Sequence, residues 1–483
     1  MKSAQITELR QRFTGSVTDT QAICNHFATD GSVFSVTPSA VAYPQTEQDV
    51  QAAVAYTAEQ AAKAARKFSL TARGAGLSQS GAALGDGLVL VFPVHLNRVQ
   101  RLTKDSVTVQ AGMNLAALQS LLQSHHRSLP AYPLPAGSST LGGIVADNGT
   151  GERSLKYGGA EGCVKGLQVV LDDGSLIETR RLSRRELNRK KGLMTREGDL
   201  YRRVDGLIQD HQALIKESTP KVAHNAAGYR LGTIKRWDGS FDLSQLFVGA
   251  QGTLGLITEV SLATAQATER TTLLAAHFDS LEAAGEAVDQ LQRLRPSALE
   301  LMTAPALEQV RQFQPELVKE LLPAELPSVL LLVEFDNQSH FRQSRLVRRA
   351  ARALRRHATG HRTISDRHEQ QRLWAIRQAI PTALWLGGKA QPALPLLGGV
   401  CLPATQLAEM MQATQKLLQK HKLNLAIWGS AGAATLQALP SFDLTKPKQR
   451  IKALSLAEDF YNLTLKLGGT VSGTQGDGLL SAP

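Results

Sequence analysis

The sequence predicts an α+β chain of two domains, and three features carry that reading. Five glycines crowd the stretch "TARGAGLSQSGAALGDGLVLVF" at 71–92, between two apolar β-like runs. Two further Gly-rich segments, 133–151 and 249–258, also lie beside β-like runs in the first 264 residues. Beyond residue 264 the rhythm changes to longer helical runs around strands, so a second domain of different build is expected from about 268.

Taken in order, "EQDVQAAVAYTAEQAAKAARK" (47–67) is Ala-rich with apolar residues at helical spacing and predicts a helix. "FSLTA" (68–72) follows as a short strand, then the glycine loop, then "LVLVF" (88–92) as a buried strand. "VTVQAG" (107–112) alternates as a strand does, and "NLAALQSLLQSHH" (114–126) predicts a helix. "GLQVVLDDGSLIETR" (166–180) has the form of a hairpin turning at Asp173-Gly174. In the second part helices are expected at 280–294, 342–356, 367–380 and 404–420, with a strand at 328–335. No internal repeat or low-complexity tract interrupts this order.

At 483 residues, 42% hydrophobic and 20% charged, the composition is that of an ordinary globular chain. A formal charge of +12 suits anionic ligands, an acidic partner or a membrane surface. Aromatics make up only 5%, and no basic patch is interleaved with them, which argues against nucleic-acid stacking. Basic residues cluster in "RRLSRRELNRKK" (180–191) and "RLVRRAARALRRHATGHR" (345–362). Each cluster reads either as a solvated face or as a docking surface for anionic lipid or an acidic subunit. Cys24, Cys163 and Cys401 are far apart and form no CxxC, so neither a Cys-based metal centre nor a disulfide framework is expected. The first residues have no apolar signal core and no stretch approaches the ~20 apolar residues of a membrane span, so a cytoplasmic location, peripheral to the inner membrane, is expected.

The loop "RGAGLSQSG" fails the test for a nicotinamide-type dinucleotide fold. The third glycine of G-x-G-x-x-G would fall at Gln79, and a strand rather than a helix follows. Small residues in such a loop can instead turn several N–H groups inward as an anion nest, or form a mere turn. Three such loops in one domain point to one ligand with a long footprint, hence a dinucleotide. The second loop adds the hydroxyls of Ser138, Ser139 and Thr140 beside Gly142-Gly143, where a flat ring can approach the backbone.

Together, "ARGAGLSQSG", "YPLPAGSSTLGGIVADNGTGERSLKYG" and "GAQGTLGLIT" resemble, in order and spacing over residues 36–264, the FAD-binding domain of the vanillyl-alcohol-oxidase (PCMH) type. Within it they are similar to the D-lactate and D-2-hydroxyglutarate dehydrogenase branch, which includes the glycolate oxidase flavin subunit. The resemblance implies an N-terminal helical segment (1–35), a two-subdomain FAD-binding domain (36–267) and an α+β substrate cap (268–483). Arg73, Gly74, Ala75, Gly76, Leu77 and Ser78 would hold the pyrophosphate, and 137–151 would run past the isoalloxazine. Gly81, Pro135, Gly137, Ser138, Thr140, Gly142, Gly143, Asn148, Gly151, Tyr157 and Gly158 complete the implied cofactor set, with Val164 and Ile257 against ribose and adenine. Relatives often tether the flavin through a histidine in the first loop. Leu77 or Ser78 stands there, so non-covalent FAD is implied.

The second half resembles the family's cap through "ALELM" (298–302), "LLLVEFD" (330–336) and "RLWAIRQAIPTAL" (372–384). By that resemblance Arg377 and Lys389 would bind a substrate carboxylate, as a planar guanidinium can do bidentately; the bland alternative for Arg377 is a solvated helix-face cation. The family's metal-binding pattern, H-A-G-D-G-N-L-H and later S-G-E-H-G, is broken. Ser430 and Gln437 stand at the histidine positions, Thr474 at the glutamate, and Gln475 at the base; Ala433 and Thr435 replace the aspartate and asparagine. Gly398-Gly399 occupies the place of an acidic pair. Neutral Ser, Gln and Thr do not hold a divalent ion as His and Glu do, so no metal is expected, and the amide of Gln475 is no base. His224, in "KVAHNAAGYRL", reads as a hydrogen-bonded structural residue more readily than as a substitute base, and Asn225 and Tyr229 as wall residues. The sequence ends at Pro483, ahead of the family's closing F-D-P-x-x-x-L-N-P-G stretch.

Two functions of different class follow. One is a metal-free oxidoreductase that takes hydride from a small anionic 2-hydroxy acid and passes electrons to a partner or quinone. The other is a flavin-binding subunit that has lost the chemistry and serves a complex or a membrane surface.

Overall fold

A computed structural model describes residues 3–63, 68–132, 137, 139–267, 270–336, 339–386, 396–423 and 425–480. Three principal sheets account for the architecture. The first has four strands in the order Ser16–Thr18, Ala40–Tyr43, Leu88–Val91, Leu70–Arg73. Its last three strands run parallel: the helix Glu47–Lys63 carries the chain from Ala40–Tyr43 across to Leu70–Arg73, and Leu88–Val91 then pairs between the two. Within the N-terminal segment 1–35, the helices Ser3–Gln11 and Gln21–His26 flank the strand Ser16–Thr18. Ser16–Thr18 pairs antiparallel with Ala40–Tyr43, and Ile6 and Leu9 are buried in the core of this sheet.

The second sheet is antiparallel, in the order Phe241–Asp242, Leu176–Leu182, Val164–Val170, Leu256–Ala263, Ser106–Gln110, Val99–Leu102. The expected hairpin is its middle, with Gly174 at φ +81° and Asp173 Oδ1 accepting from Ser175 N at 2.9 Å. The strand Leu256–Ala263 buries every second residue, because only one of its faces meets a core.

The third sheet carries the second half of the chain. Seven antiparallel strands run in the order Gly360–Ile364, Thr272–Phe278, Val329–Phe335, Ala298–Thr303, Ala426–Ser430, Thr435–Leu439, Leu397–Cys401. Helices cover both faces, with Leu281–Gln292, Leu407–His421 and Pro447–Lys466 on one side and Ala304–Phe313 and Arg367–Leu386 on the other. Val329–Phe335 is accordingly buried at every residue, which explains its apolar run, interrupted at Glu334. Each fully buried leucine there contributes about 2 kcal/mol of apolar burial.

Two sets of contacts hold this cap against the first two sheets. Arg153 binds Glu334 through Nε and Nη2, and Lys156 Nζ and the Tyr157 hydroxyl both donate to Asp336. At the other edge, residues 470–480 return to the glycine-rich loops. Ser472 O accepts from Ala226 N at 2.7 Å, and Leu479 N donates to Ser80 O at 2.7 Å.

Candidate active site

The three glycine-rich loops meet. Residues 72–79, parts of 139–150 and of 247–257 line one cleft of about 390 Å³, and Gln437, Thr474 and Gln475 of the cap close its far wall. The first loop leaves the parallel strand Leu70–Arg73 without forming a helix, and none of the backbone N–H groups from Gly74 to Ser78 donates to a described residue. Arg73 supports that loop from behind. Its Nη2 donates to Thr29 O at 2.7 Å, its guanidinium lies over the Phe27 ring, and burial lowers its pKa. Gly76, at φ +69°, folds over this guanidinium, and a Cβ there would lie 2.3 Å from Nη2. An anion at this loop would meet backbone N–H groups, while the arginine is committed to the Phe27 and Thr29 carbonyls behind it.

Close approach also dictates the second loop. A Cβ on Gly74 would sit 2.2 Å from Thr140 Oγ1, and one on Gly142 would sit 2.7 Å from Ala111 Cβ. Thr140 caps the helix Leu141–Ala146 by accepting from Gly143 N. Apolar Phe92, Leu115, Phe247, Leu256 and Ile257 supply walls suited to flat rings. Open N–H groups at one part of the cleft and apolar walls elsewhere fit a dinucleotide with a pyrophosphate and aromatic rings. Leu77, 53% exposed, lines the cleft with a side chain that offers no atom for a covalent tether.

Several residues expected at the cofactor lie elsewhere. Tyr157 is part of the cap latch, through Asp336. Asn148, buried at φ +48°, accepts from Glu161 N through Oδ1 and shapes the loop. Gly151 packs on Ala131 O, Gly81 on Phe34 and Leu479, and Gly158 turns the chain at φ +79°. Val164 is buried at the start of its strand and does not line the cleft, and Gly137 accepts from Asn114 Nδ2 outside it. Pro135, Ser138 and Lys389 fall outside the described residues.

The cap wall is a network of neutral groups. Gln437 Nε2 donates to Thr474 Oγ1 at 3.2 Å, so two residues at family ligand positions bind each other. Gly399, at φ +54°, allows this, because a Cβ there would lie 2.1 Å from Thr474 Oγ1. Ser430 stands opposite Glu300 in the strand register, with its N–H donating to Thr435 Oγ1, and it does not line the cleft. These donors do not fit a divalent ion, and among the described residues no three His, Cys, Asp or Glu side chains gather as ligands.

Arg377 also differs from expectation. Its Nε donates to Glu300 Oε2 at 2.8 Å, and Glu300 is fully buried, which pushes its carboxyl upward despite the arginine. The guanidinium neutralises a core carboxylate and lies outside the cleft lining. His224 is buried with its Nδ1 4.0 Å from Glu161 Oε1 and without a hydrogen bond to a described residue, and burial lowers its pKa. Asn225 Oδ1 accepts from Thr470 Oγ1, and the Tyr229 hydroxyl lies 3.0 Å from Thr253 Oγ1.

The sequence reading passed over one group in the cleft. Asp147, at the end of the helix Leu141–Ala146, accepts from Gly476 N at 2.9 Å and Gln251 Nε2 at 3.1 Å, and burial raises its pKa to about 6. Its only signal was an acidic residue beside Asn148 in a loop otherwise of small residues.

Two sheets joined by glycine-rich loops, a cleft with open backbone N–H groups, and a third sheet closing its far wall fit a two-domain dinucleotide-binding protein. Comparison with known proteins agrees. The family described as "FAD binding domain" matches residues 38–180, and "FAD linked oxidases, C-terminal domain" matches 267–483. The chain thus carries the FAD-binding domain and the C-terminal domain of FAD-linked oxidases, and FAD is its cofactor. It is 26% identical to D-2-hydroxyglutarate dehydrogenase of Pantoea ananatis (strain AJ13355), over 97% of this chain and 47% of that protein. It is 24% identical to glycolate oxidase subunit GlcD of Bacillus subtilis (strain 168), over 92% of this chain and 82% of that protein. The chain thus spans about half the length of the D-2-hydroxyglutarate dehydrogenases it matches. In fold it is similar to 4-ethylphenol oxidase from Gulosibacter chungangensis, with a TM-score of 0.66 at 13% identity, covering 98% of this chain and 90% of that one.

Proposed function

We propose that the chain oxidises a small 2-hydroxy acid by hydride transfer to FAD, without a divalent metal. The observation that carries this reading is the shared cleft, in which the glycine loops and cap residues Gln437, Thr474 and Gln475 face one space. Bound there, FAD supplies a two-electron acceptor. The chain's own part is to cradle the pyrophosphate on the N–H groups of 74–78, to sandwich the rings between small and apolar residues, and to present neutral hydrogen-bonding groups to the substrate. Lys389 remains our proposal for the substrate carboxylate, and Arg377 acts through Glu300 rather than as a free cation.

A second reading is favoured by one observation. The Gln437–Thr474 hydrogen bond closes the wall on itself, as expected of a flavin subunit whose hydroxy-acid chemistry is gone. In that case a partner or a membrane surface would engage the helix His340–Leu354, whose Arg345, Arg349 and Arg352 are exposed and form no ion pair with a described residue. The same surface serves the first reading as the docking place of an electron acceptor. No helix among the described residues is long and apolar enough to cross a membrane.

Anaerobic mixing of the yellow protein with a panel of D- and L-2-hydroxy acids separates the two. Bleaching of the flavin band by one stereoisomer supports oxidation; an unchanged spectrum across the panel supports the subunit reading.

A further inference from the structure

Removal of the family histidine leaves a proton without an acceptor. A 2-hydroxy acid that gives up hydride from its α-carbon must also lose its hydroxyl proton, and Gln475 cannot take it. Asp147 is the carboxylate that lines the same cleft as Gln437, Thr474 and Gln475. Its Oδ1 is pinned from two sides, by the backbone of the cap segment at Gly476 and by Gln251 of the third loop. Oδ2 accepts nothing from a described residue and is not among the sealed, unpartnered atoms of the core.

The placement works against folding stability. A carboxylate at a helix C-terminus meets the negative end of the helix dipole. No described cation pairs with it. Arg73, on the first loop, is held by the Phe27 and Thr29 carbonyls. Asp477, on the cap segment, accepts from Ser472 Oγ, while Glu161 and His224 lie behind Asn148 beside each other. Burial without a cation favours the neutral acid and sets its titration near 6, in the range useful to a general base.

We propose that Asp147 is the proton acceptor for the substrate hydroxyl, in place of the absent histidine; the assignment rests on the hydroxy-acid reading above. The α-carbon C–H bond breaks with its electron pair, which reduces FAD as hydride. The O–H bond breaks, its proton passes to the Asp147 carboxylate, and the carbonyl of a 2-keto acid forms. The substrate is oxidised, FAD is reduced, and no other oxidant is needed.

The test mixes FAD-loaded wild type, Asp147→Asn and Asp147→Glu anaerobically with D-2-hydroxyglutarate, D-lactate and glycolate. Flavin bleaching is followed by stopped flow from about pH 5 to about pH 9, and holoprotein melting is followed over the same range. Wild-type reduction is expected to rise through an apparent pKa of about 6. Asp147→Asn should retain flavin, slow reduction by about 100-fold or more and lose that limb, while Asp147→Glu keeps a pH-dependent limb. Because the folded pKa is raised, stability from the neutral acid is full at low pH and lost as pH rises through about 6. The wild-type melting temperature should therefore fall relative to Asp147→Asn across that window. Equal reduction rates for wild type and Asp147→Asn, or parallel melting profiles, overturn the assignment while leaving the hydroxy-acid reading intact. A wild type bleached by none of the three acids defeats that reading, and the assignment with it.

Discussion

The two walls of the cleft were shaped by opposite demands. On the flavin side, Gly74, Gly76 and Gly142 are fixed by contact: any side chain would strike Thr140, the Arg73 guanidinium or Ala111. On the cap side, the side chains of Gln437 and Thr474 are held to each other by one neutral hydrogen bond. The first wall tolerates almost no change without losing its ligand. The second can exchange its chemistry while the sheet beneath it stays whole, since Trp428, Ala433 and Leu436 remain buried around it. The two walls are thus held by different means, and each variant below probes one of them or their junction.

The largest effect is expected at the cap's core. Arg377→Ala would leave the Glu300 carboxylate buried without its cation, at a cost of about 3–5 kcal/mol, read as a drop in unfolding free energy in urea. If Arg377 is instead a substrate residue with no structural role, the same variant keeps its stability and loses only affinity for hydroxy acids. Next comes the flavin wall. Gly142→Val forces a branched side chain against Ala111 and should cost about 1–3 kcal/mol, with FAD retention weakened by about 10-fold or more. Flavin absorbance of the purified variant against its melting temperature separates a lost cradle from a lost fold. A variant that stays yellow and as stable as wild type breaks the contrast between the walls.

Gly399→Asp tests whether the cap could simply regain the acidic pair of its relatives. The backbone is at φ +54° and the new Cβ would meet Thr474 Oγ1 at 2.1 Å, so a loss of about 1–3 kcal/mol is expected in urea titration. Adding Thr474→Glu should recover only part of this loss, because it removes the Oγ1 contact but leaves the residue at 399 at φ +54°, with its Cβ 3.3 Å from the backbone N of residue 474. Full recovery would mean that the Thr474 side chain, and not the left-handed backbone at 399, sets the cost within the cap wall.

Much of this was legible in the sequence, for physical reasons. Strands buried on both faces announce themselves as continuous apolar runs, as at 329–333, and the glycine loops as residues with no side chain where contact is tightest. Thr272–Phe278 and Ala298–Thr303 escaped notice because such short apolar runs fit helix and strand alike until their partners are known. Tyr157 shows the limit from the other direction. Its place in a Y-G motif suggested the cofactor, yet its hydroxyl belongs to Asp336, 179 residues away in sequence, and no local pattern encodes that pairing. Arg377 and Glu300 make the same point. The arginine is visible as a cation, but whether it is free or committed depends on a strand 77 residues earlier. Asp147 was hidden because its significance lies in what surrounds it: a helix end, a glutamine and a glycine N–H contributed by three separate segments.

The smallest effect is the most discriminating. Gln437→Ala removes one partner of the neutral pair that occupies the cap wall, and Thr474 then faces the open cleft rather than a sealed interior. Because water can replace the lost donor there, the stability cost should stay within about 0.5–1.5 kcal/mol, and flavin absorbance should be unchanged. The consequence for hydroxy acids depends on which function the wall serves. A wall that contacts substrate would raise the concentration of acid needed for half-maximal bleaching by about 10-fold, the equivalent of one hydrogen bond of about 1.4 kcal/mol, with the limiting rate little altered. A wall that has closed on itself would show no change, or would admit acids that the wild type excludes, because the Gln437–Thr474 bond would then be what keeps them out.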